Sequence, residues 1–262
     1  MTPSNRPPDE RSLIQRQFGT HAEAYVQSLD HRGDATLDRM VALLDLAPQA
    51  RVLDLATGGG HTALALAPLA GEVVASDLTY PMLQAARRSL QSNKFNAVNY
   101  VQADVHSLPW QADVFEAVTC RMAAHHFADV PLFVHECARL LRPGGRLALI
   151  DNITPSEVVP ARYINAYEKL RDPSHAWEYS SADWQSFFKA AVLTVEHIET
   201  SRMAIRFQTW VARMSVPELN RGQLRALLQH TPGLAREWLN PREEEGNLTF
   251  DLEKLLIVGR LD

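Results

Sequence analysis

Cysteine is scarce in this chain: Cys120 and Cys137 are the only two in 262 residues. Two cannot build a disulfide framework, and their spacing matches no metal-ligand pattern, so a reducing cytoplasm is the expected setting. Long apolar runs are missing as well. The longest, around Leu64 to Ala75, is broken by Pro68 and Glu72 and falls well short of the roughly 20 residues that span a bilayer. The stretch Met1 to Glu10 is polar and Pro-rich, which predicts neither a secretion signal nor a membrane anchor. Positive charge is not in excess either: 26 Lys and Arg stand against 31 Asp and Glu, for a formal net charge of -5. A protein that lives on phosphate backbones needs a basic face, so nucleic acid is not an expected partner. No repeat is visible. A composition of 46% hydrophobic and 22% charged residues belongs to a folded domain rather than a disordered or low-complexity chain.

What the chain does have is alternation. Short apolar, β-branched-rich runs occur at 51–56, 72–77, 98–103, 115–120 and 146–151, each bounded by Gly, Asp, Pro or Asn. Helical patterns separate them, most clearly Pro131 to Leu141, which opens after Asp129 and stops at Arg142-Pro143-Gly144-Gly145. Such alternation predicts an α/β fold with parallel strands, crossover helices on both faces, and ligands bound beyond the carboxyl ends of the strands. Outside this block, helices are expected over Glu10 to Leu29, Asp34 to Leu46, and within 155–190 and 207–240. Interruptions are expected at Asp172-Pro173 and Val216-Pro217, and two further strands at Leu193 to Thr200 and Glu253 to Leu261. The division that follows is a helical lid segment over 1–47 and a core over 48–262 with two helical insertions.

The segment from Val52 to Ala63, VLDLATGGGHTA, reads as a buried strand, a glycine turn and the start of a helix. Gly58, Gly59 and Gly60 permit positive φ and close backbone approach, and a helix start offers N–H groups and the positive end of a dipole. Asp77 closes the next strand, where an acid can accept both hydroxyls of a ribose. The pattern Gly58-x-Gly60-x-x-Ala63 also satisfies the dinucleotide fingerprint, so the glycines alone leave a nicotinamide or flavin enzyme open. Two acids tip the reading. Asp54 would repel a pyrophosphate but can organise the loop around the ammonium end of an amino acid, and Asp104 can accept from an exocyclic adenine amine.

This series, VLDLATGGG at Val52 to Gly60, Ser76-Asp77, Gln102-Ala103-Asp104 and LLRPGGRLAL at Leu140 to Leu149, resembles the motifs of class I S-adenosylmethionine-dependent methyltransferases across residues 50 to 151. The segment Arg121 to Phe127, RMAAHHF, with Gln17-Phe18-Gly19 and Ala24-Tyr25-Val26, is most similar to the small-molecule branch that includes the ubiquinone and menaquinone biosynthesis methyltransferases. The resemblance implies a Rossmann-like, seven-stranded, mostly parallel sheet, its last strand antiparallel, with a helical cover over the carboxyl edge. It implies S-adenosyl-L-methionine as cofactor. Asp54, Gly58 and Gly60 would line its methionine moiety, Asp77 would hold the ribose beside Leu78 and Met82, Asp104 and Val105 would flank the adenine, and Arg121 would lie near the methionine end. Each acid also has an ordinary role open to it, as a loop cap, a helix N-cap or a turn residue.

A sulfonium already carries an electrophilic methyl group, so the protein's tasks are alignment and exclusion of water, with a general base needed only where the acceptor must lose a proton. His125 and His126 follow the fourth strand directly and titrate in the useful range; one of two adjacent histidines is expected to pack under its loop. Tyr25 and His21 could face the methyl group if the first helix closes as a lid, although Phe18 and Tyr25 also suit an apolar packing stripe. Asp151-Asn152 would suit a magnesium site, but the partner position holds Cys120-Arg121, so no metal is expected. Trp177, Trp184, Trp210 and Trp238 suit either an apolar pocket or an ordinary core, with core packing favoured. Arg242 to Glu245 reads as a solvated loop. The leading expectation is O- or C-methylation of a small molecule, apolar and aromatic acceptors included, by a cytoplasmic enzyme for which a homo-oligomer is compatible. A binding module without transfer chemistry is the alternative, and a nicotinamide oxidoreductase trails it.

Overall fold

The computed structural model describes residues 35–95 and 97–262. The five apolar runs form β1 (Arg51–Leu55), β2 (Glu72–Asp77), β3 (Val98–Gln102), β4 (Phe115–Arg121) and β5 (Leu141–Ile153). All pair in parallel, in the spatial order β3-β2-β1-β4-β5. Strands covered on both faces read as continuous apolar runs, as Leu147 to Ile150 does. Three more strands complete the sheet: β6 (Leu193–Arg206), β7 (Arg242–Glu244) and β8 (Asn247–Leu261). β8 lies antiparallel between β5 and β6, which gives the expected seven strands with the last reversed. β7 is a short eighth that folds back on β8. The charge run at 242–245 is thus mostly strand rather than loop: Arg242 bonds Glu244 within β7 and Asp251 across the hairpin, holding a ladder that its local sequence does not announce.

Among the described residues the helices are α1 (Ala35–Leu43), α2 (His61–Leu66), α3 (Tyr80–Ser92), α4 (Val130–Leu140), α5 (Val158–Arg171), α6 (Ser181–Ala190), α7 (Phe207–Arg213), α8 (Glu218–Gln229) and α9 (Gly233–Leu239). α4 shows how sequence sets an element. Its carboxylate N-cap, Asp129, accepts from Leu132 N at 2.9 Å, its apolar Val130, Phe133, Val134 and Cys137 share one face, and Pro143 forbids continuation. That face packs on the sheet with Trp184 and Phe188 of α6. The opposite face is covered by α1, α2 and α3 through Leu37, Met40, Leu66, Ala86 and Leu90. Residues 35–43, expected within a lid segment, therefore pack as part of the sheet's own covering. The helix expected over Glu10 to Leu29, with His21 and Tyr25, lies outside the described residues.

A third apolar cluster joins Ile164 and Tyr167 of α5, Phe207 and Trp210 of α7, Leu224 and Leu228 of α8, and Phe250 and Leu252 of β8. This is the helical cover, entered directly from the carboxyl end of β5. Trp210 stacks on Tyr167 with centroids 5.0 Å apart, and Trp184 belongs to the sheet core, so these tryptophans pack rather than line a pocket. Two expectations change. β6 and β8 outrun their expected limits, because pairing between them continues from Ser201↔Lys254 to Arg206↔Thr249 through residues with weak strand character. Residues 172–180, between α5 and α6, form a strap with Asp172, Ser174, His175, Glu178 and Ser180 buried; side chains that bond nearby backbone compete with helix formation there.

Candidate active site

The turn after β1 is made by left-handed backbone at Ala56, Gly58 and Gly60, with φ of 50°, 52° and 81°. A Cβ on Gly60 would stand 2.8 Å from Leu90 Cδ1 and 3.0 Å from Ala86 Cβ. Gly60 thus lets α3 pack against the turn, and it is not among the residues that line the cavity beyond. On Gly58 a Cβ would meet nothing nearer than the Ala56 carbonyl oxygen at 4.0 Å. Its N–H donates to Asp77 Oδ2 at 3.0 Å, while Asp77 Oδ1 accepts from Thr79 N and Oγ1 at 2.9 and 3.0 Å. One buried carboxylate thereby fastens the glycine turn to the start of α3.

Asp54 sits inside β1 with 1% exposure. Thr57 Oγ1 donates to its Oδ2 at 2.6 Å and Thr119 Oγ1 to its Oδ1 at 2.9 Å. Burial pushes its pKa up to about 6 against these hydrogen bonds. Arg121, at the end of β4, donates through Nε to Thr62 Oγ1 at 3.3 Å. Asp104 follows β3, and its Oδ1 accepts from His106 N at 3.0 Å and pairs with His106 Nδ1 at 2.6 Å.

These groups surround one cavity of about 1000 Å³, open mouth included, at the carboxyl ends of β1 to β4. Of the nine positions expected to hold a cofactor, Asp54, Gly58, Asp77, Leu78, Met82, Asp104, Val105 and Arg121 line it. The sequence reading missed Thr57, Thr62 and His106, which line it too, and Met122, Ala123 and Phe127, which with His126 form the wall nearest the β4 end. Position after a strand end was the available signal, though residue type gave none.

The two histidines part company. Both lie in a single 3-10 turn, Ala124–His126. His126 faces the cavity, and its Nδ1 stands 3.1 Å from the Ser174 carbonyl oxygen. A carbonyl only accepts, so Nδ1 carries the proton and the neutral ring's lone pair is on Nε2. His125 is not a lining residue. Its Nδ1 meets Asp151 Oδ1 at 2.6 Å and its backbone N–H donates to Asp151 Oδ2 at 2.9 Å. Burial works against the charged form of His125, but the charge and hydrogen bond of Asp151 outweigh it and raise the pKa to about 9. Burial and the neighbouring His125 cation, 4.2 Å away between centroids, push His126 down to about 4. Burial and the nearby Glu168 drive Glu178 up to about 8. Asp151, considered first as a metal ligand, is the partner of His125.

Comparison with known proteins places this geometry. A family model described as a methyltransferase domain matches residues 53–149. The uncharacterized methyltransferase YcgJ of Bacillus subtilis is 33% identical over 244 residues, covering 92% of this chain and 96% of YcgJ. The chain belongs to the S-adenosylmethionine-dependent methyltransferase family. A methyltransferase crystal structure from Bacillus halodurans superposes with a TM-score of 0.83 at 34% identity, over 87% of this chain and 99% of that one. The ubiquinone biosynthesis O-methyltransferase of Xanthomonas oryzae is 41% identical over 135 residues, 49% of this chain and 55% of its own length. No helix among the described residues of this chain is long and apolar enough to cross a membrane.

Proposed function

We propose that the cavity holds S-adenosylmethionine across the ends of β1, β2 and β3 and presents its methyl group toward His126, where a small apolar or aromatic acceptor is methylated on oxygen or carbon. The observation that carries this reading is the gathering of Asp54, Asp77, Asp104 and His126 around one cavity. The residues fit the group. Gly58 offers bare backbone over open space, Asp77 is a carboxylate suited to a ribose diol, and Leu78, Met82 and Val105 offer apolar walls to an adenine. Asp54 acts indirectly, holding Thr57 and Thr119 so that the turn keeps its shape, and Arg121 takes the carboxylate end. Gly60 serves by packing.

Bound S-adenosylmethionine supplies a methyl group on a sulfonium, already electrophilic. The chain's own contribution is placement and charge. Neighbouring groups whose environments push their pKa values apart mark an acid and base division. At neutral pH His126 is neutral, and with a pKa of about 4 it is a weak base, suited to aligning an acceptor hydroxyl rather than to removing its proton outright. His125 is cationic and lies beside it, favouring an acceptor that becomes anionic. The apolar Met122, Ala123 and Phe127 exclude water on that side. Buried free thiols at Cys120 and Cys137 and the net charge of -5 support a cytoplasmic enzyme that works without nucleic acid.

The test is calorimetry with S-adenosylhomocysteine and with NAD, followed by release of S-adenosylhomocysteine across a panel of phenols, quinols and amines. The expected result is binding of S-adenosylhomocysteine alone and turnover of a phenol or quinol. Binding of NAD alone would refute the cofactor assignment, and tight nucleoside binding with silence across the panel would favour a binding module.

A further inference from the structure

We propose that Asn165, in the cover helix α5, is a positioning residue that shapes the 172–180 strap so that the Ser174 carbonyl holds His126 in the orientation and tautomer that meet the acceptor. The proposal rests on the reading of the cavity given above, with the acceptor beside His126.

Asn165 is buried, and its amide can sit only one way round. Nδ2 faces two carbonyl oxygens, Ala161 O at 3.0 Å and Glu178 O at 3.1 Å. A carbonyl only accepts, so that atom is the donor. Oδ1 is then the acceptor for Glu178 N at 2.6 Å and for His175 Nε2 at 2.8 Å, which places a proton on Nε2 of that ring. One side chain thereby pairs with both backbone groups of Glu178, as a neighbouring strand would. The segment after β5 holds the same stretch: Thr154 Oγ1 donates to Glu178 O and Thr154 N to Tyr179 O, each at 3.3 Å. Lys169, one turn further along α5, donates from Nζ to His175 O at 2.6 Å.

The path from this clamp to His126 is short. His175 follows Ser174, and the peptide between them is planar. His175 N donates to Asp172 O at 3.0 Å, so the Ser174 carbonyl on the opposite edge of that peptide points away from Asp172, to His126 Nδ1 at 3.1 Å. Asp172 Oδ1 fastens Ser174 by accepting from its N at 2.8 Å and its Oγ at 2.5 Å. The strap also holds the backbone of the histidine turn, since Ala176 N and Trp177 N both donate to His125 O, at 2.7 and 3.0 Å. Whatever else the His126 ring meets, a carbonyl at Nδ1 keeps a proton there. A slack strap would bring forward the Ser174 hydroxyl, already 3.3 Å from Nδ1, and a hydroxyl donates as well as accepts, so either tautomer would be satisfied.

The experiment is nitrogen NMR of the full chain with labelled histidine at neutral pH. Thermal melts, calorimetry with S-adenosylhomocysteine, and turnover of a phenol or quinol that the wild type methylates are recorded alongside. Asn165→Ala removes the clamp, and Asn165→Asp keeps the oxygen but loses the donor. Tyr163→Phe, the control, deletes a hydrogen bond that runs from the same helix to Leu227 O in α8 and not to the strap. Wild type is expected to carry the His126 proton on Nδ1. Both Asn165 variants should show mixed tautomers and a kcat lowered about tenfold, with acceptor KM within about threefold and S-adenosylhomocysteine affinity within about twofold of wild type. Tyr163→Phe should lower the melting temperature alone. Should the Asn165 variants fail to fold, His175→Phe is compared with His175→Gln, whose amide keeps an N–H for Asn165; the Phe variant should show mixed tautomers and the Gln variant should not. A wild type protonated on Nε2, variants that melt earlier with His126 unchanged, a kcat loss shared by Tyr163→Phe, or mixed tautomers with unchanged kcat would overturn the proposal. A wild type silent across the acceptor panel would overturn the reading of the cavity, and the tautomers alone then decide whether Asn165 holds the ring.

Discussion

Replacing Asp151 with Asn removes the charge that holds a proton on His125 while keeping the shape of the side chain. Raising the imidazole from its ordinary 6.5 to about 9 corresponds to about 3 kcal/mol of preference for the cation. The ring is largely buried, with 14% of its side chain exposed, so solvent screens little of this. Without the carboxylate, burial is opposed only by the smaller effects of Glu178 and Glu168, and the pKa should fall well below 9. The sign for stability follows from linkage: a folded-state pKa raised above its unfolded value stabilises fully below pH 6.5, and that contribution is lost as pH rises through about 9. Glu178, pushed up to about 8, loses stability in the same direction and itself responds to Asp151 and His125, so the titration of His125 must be followed on its own. At pH 6 the variant should lose about 3 kcal/mol by urea unfolding. Near pH 10 the gap should shrink to about 1 kcal/mol, the worth of an ordinary hydrogen bond. Histidine-labelled NMR titration checks the cause directly. A His125 signal that titrates near 6.5 in wild type, or a destabilisation independent of pH, refutes the ion pair.

Two further substitutions probe the turn and the carboxylate that secures it. Gly60→Ala drives a methyl into Leu90 and Ala86 and should cost about 1 to 3 kcal/mol in urea unfolding, whereas Gly58→Ala, with open space around it, should cost about 1 kcal/mol for its backbone alone; equal losses would remove the packing role given to Gly60. Asp77→Asn turns one of the two oxygens that accept from Gly58 and Thr79 into a donor and should weaken S-adenosylhomocysteine binding by about 1 to 3 kcal/mol, and unchanged affinity in calorimetry would count against the ribose assignment.

The alternating core was legible because each strand and its following helix carry their own punctuation. Val52 to Ala63 announces strand, turn and helix within twelve residues, and Asp129 with Pro143 brackets α4. The lining of the cavity was legible for the same reason: Asp54, Asp77 and Asp104 sit at fixed offsets from strand ends, and all three reach it. Gly60 packs against α3, and in sequence a glycine demanded by a neighbouring helix looks like one demanded by a ligand. The division of labour between His125 and His126 depends on Asp151 and Ser174, 26 and 48 positions later, and no local pattern encodes it. The lengths of β6 and β8 were hidden likewise, since Ser201, Arg202 and Lys254 join a ladder only because their partners do.

The pairing of β6 with β8 has a mechanical consequence. The two strands run from the sheet core, at Leu193↔Leu261, to the cover, at Arg206↔Thr249, with one register shift between Val195 and His197, and Phe250 and Leu252 anchor the cover's apolar cluster on the same β8 whose Leu255 and Ile257 anchor the sheet. Core and cover are thus two ends of one beam. A hinge between them would have to break ladder hydrogen bonds and expose both clusters, so the cover is held to the sheet as a fixed part of it.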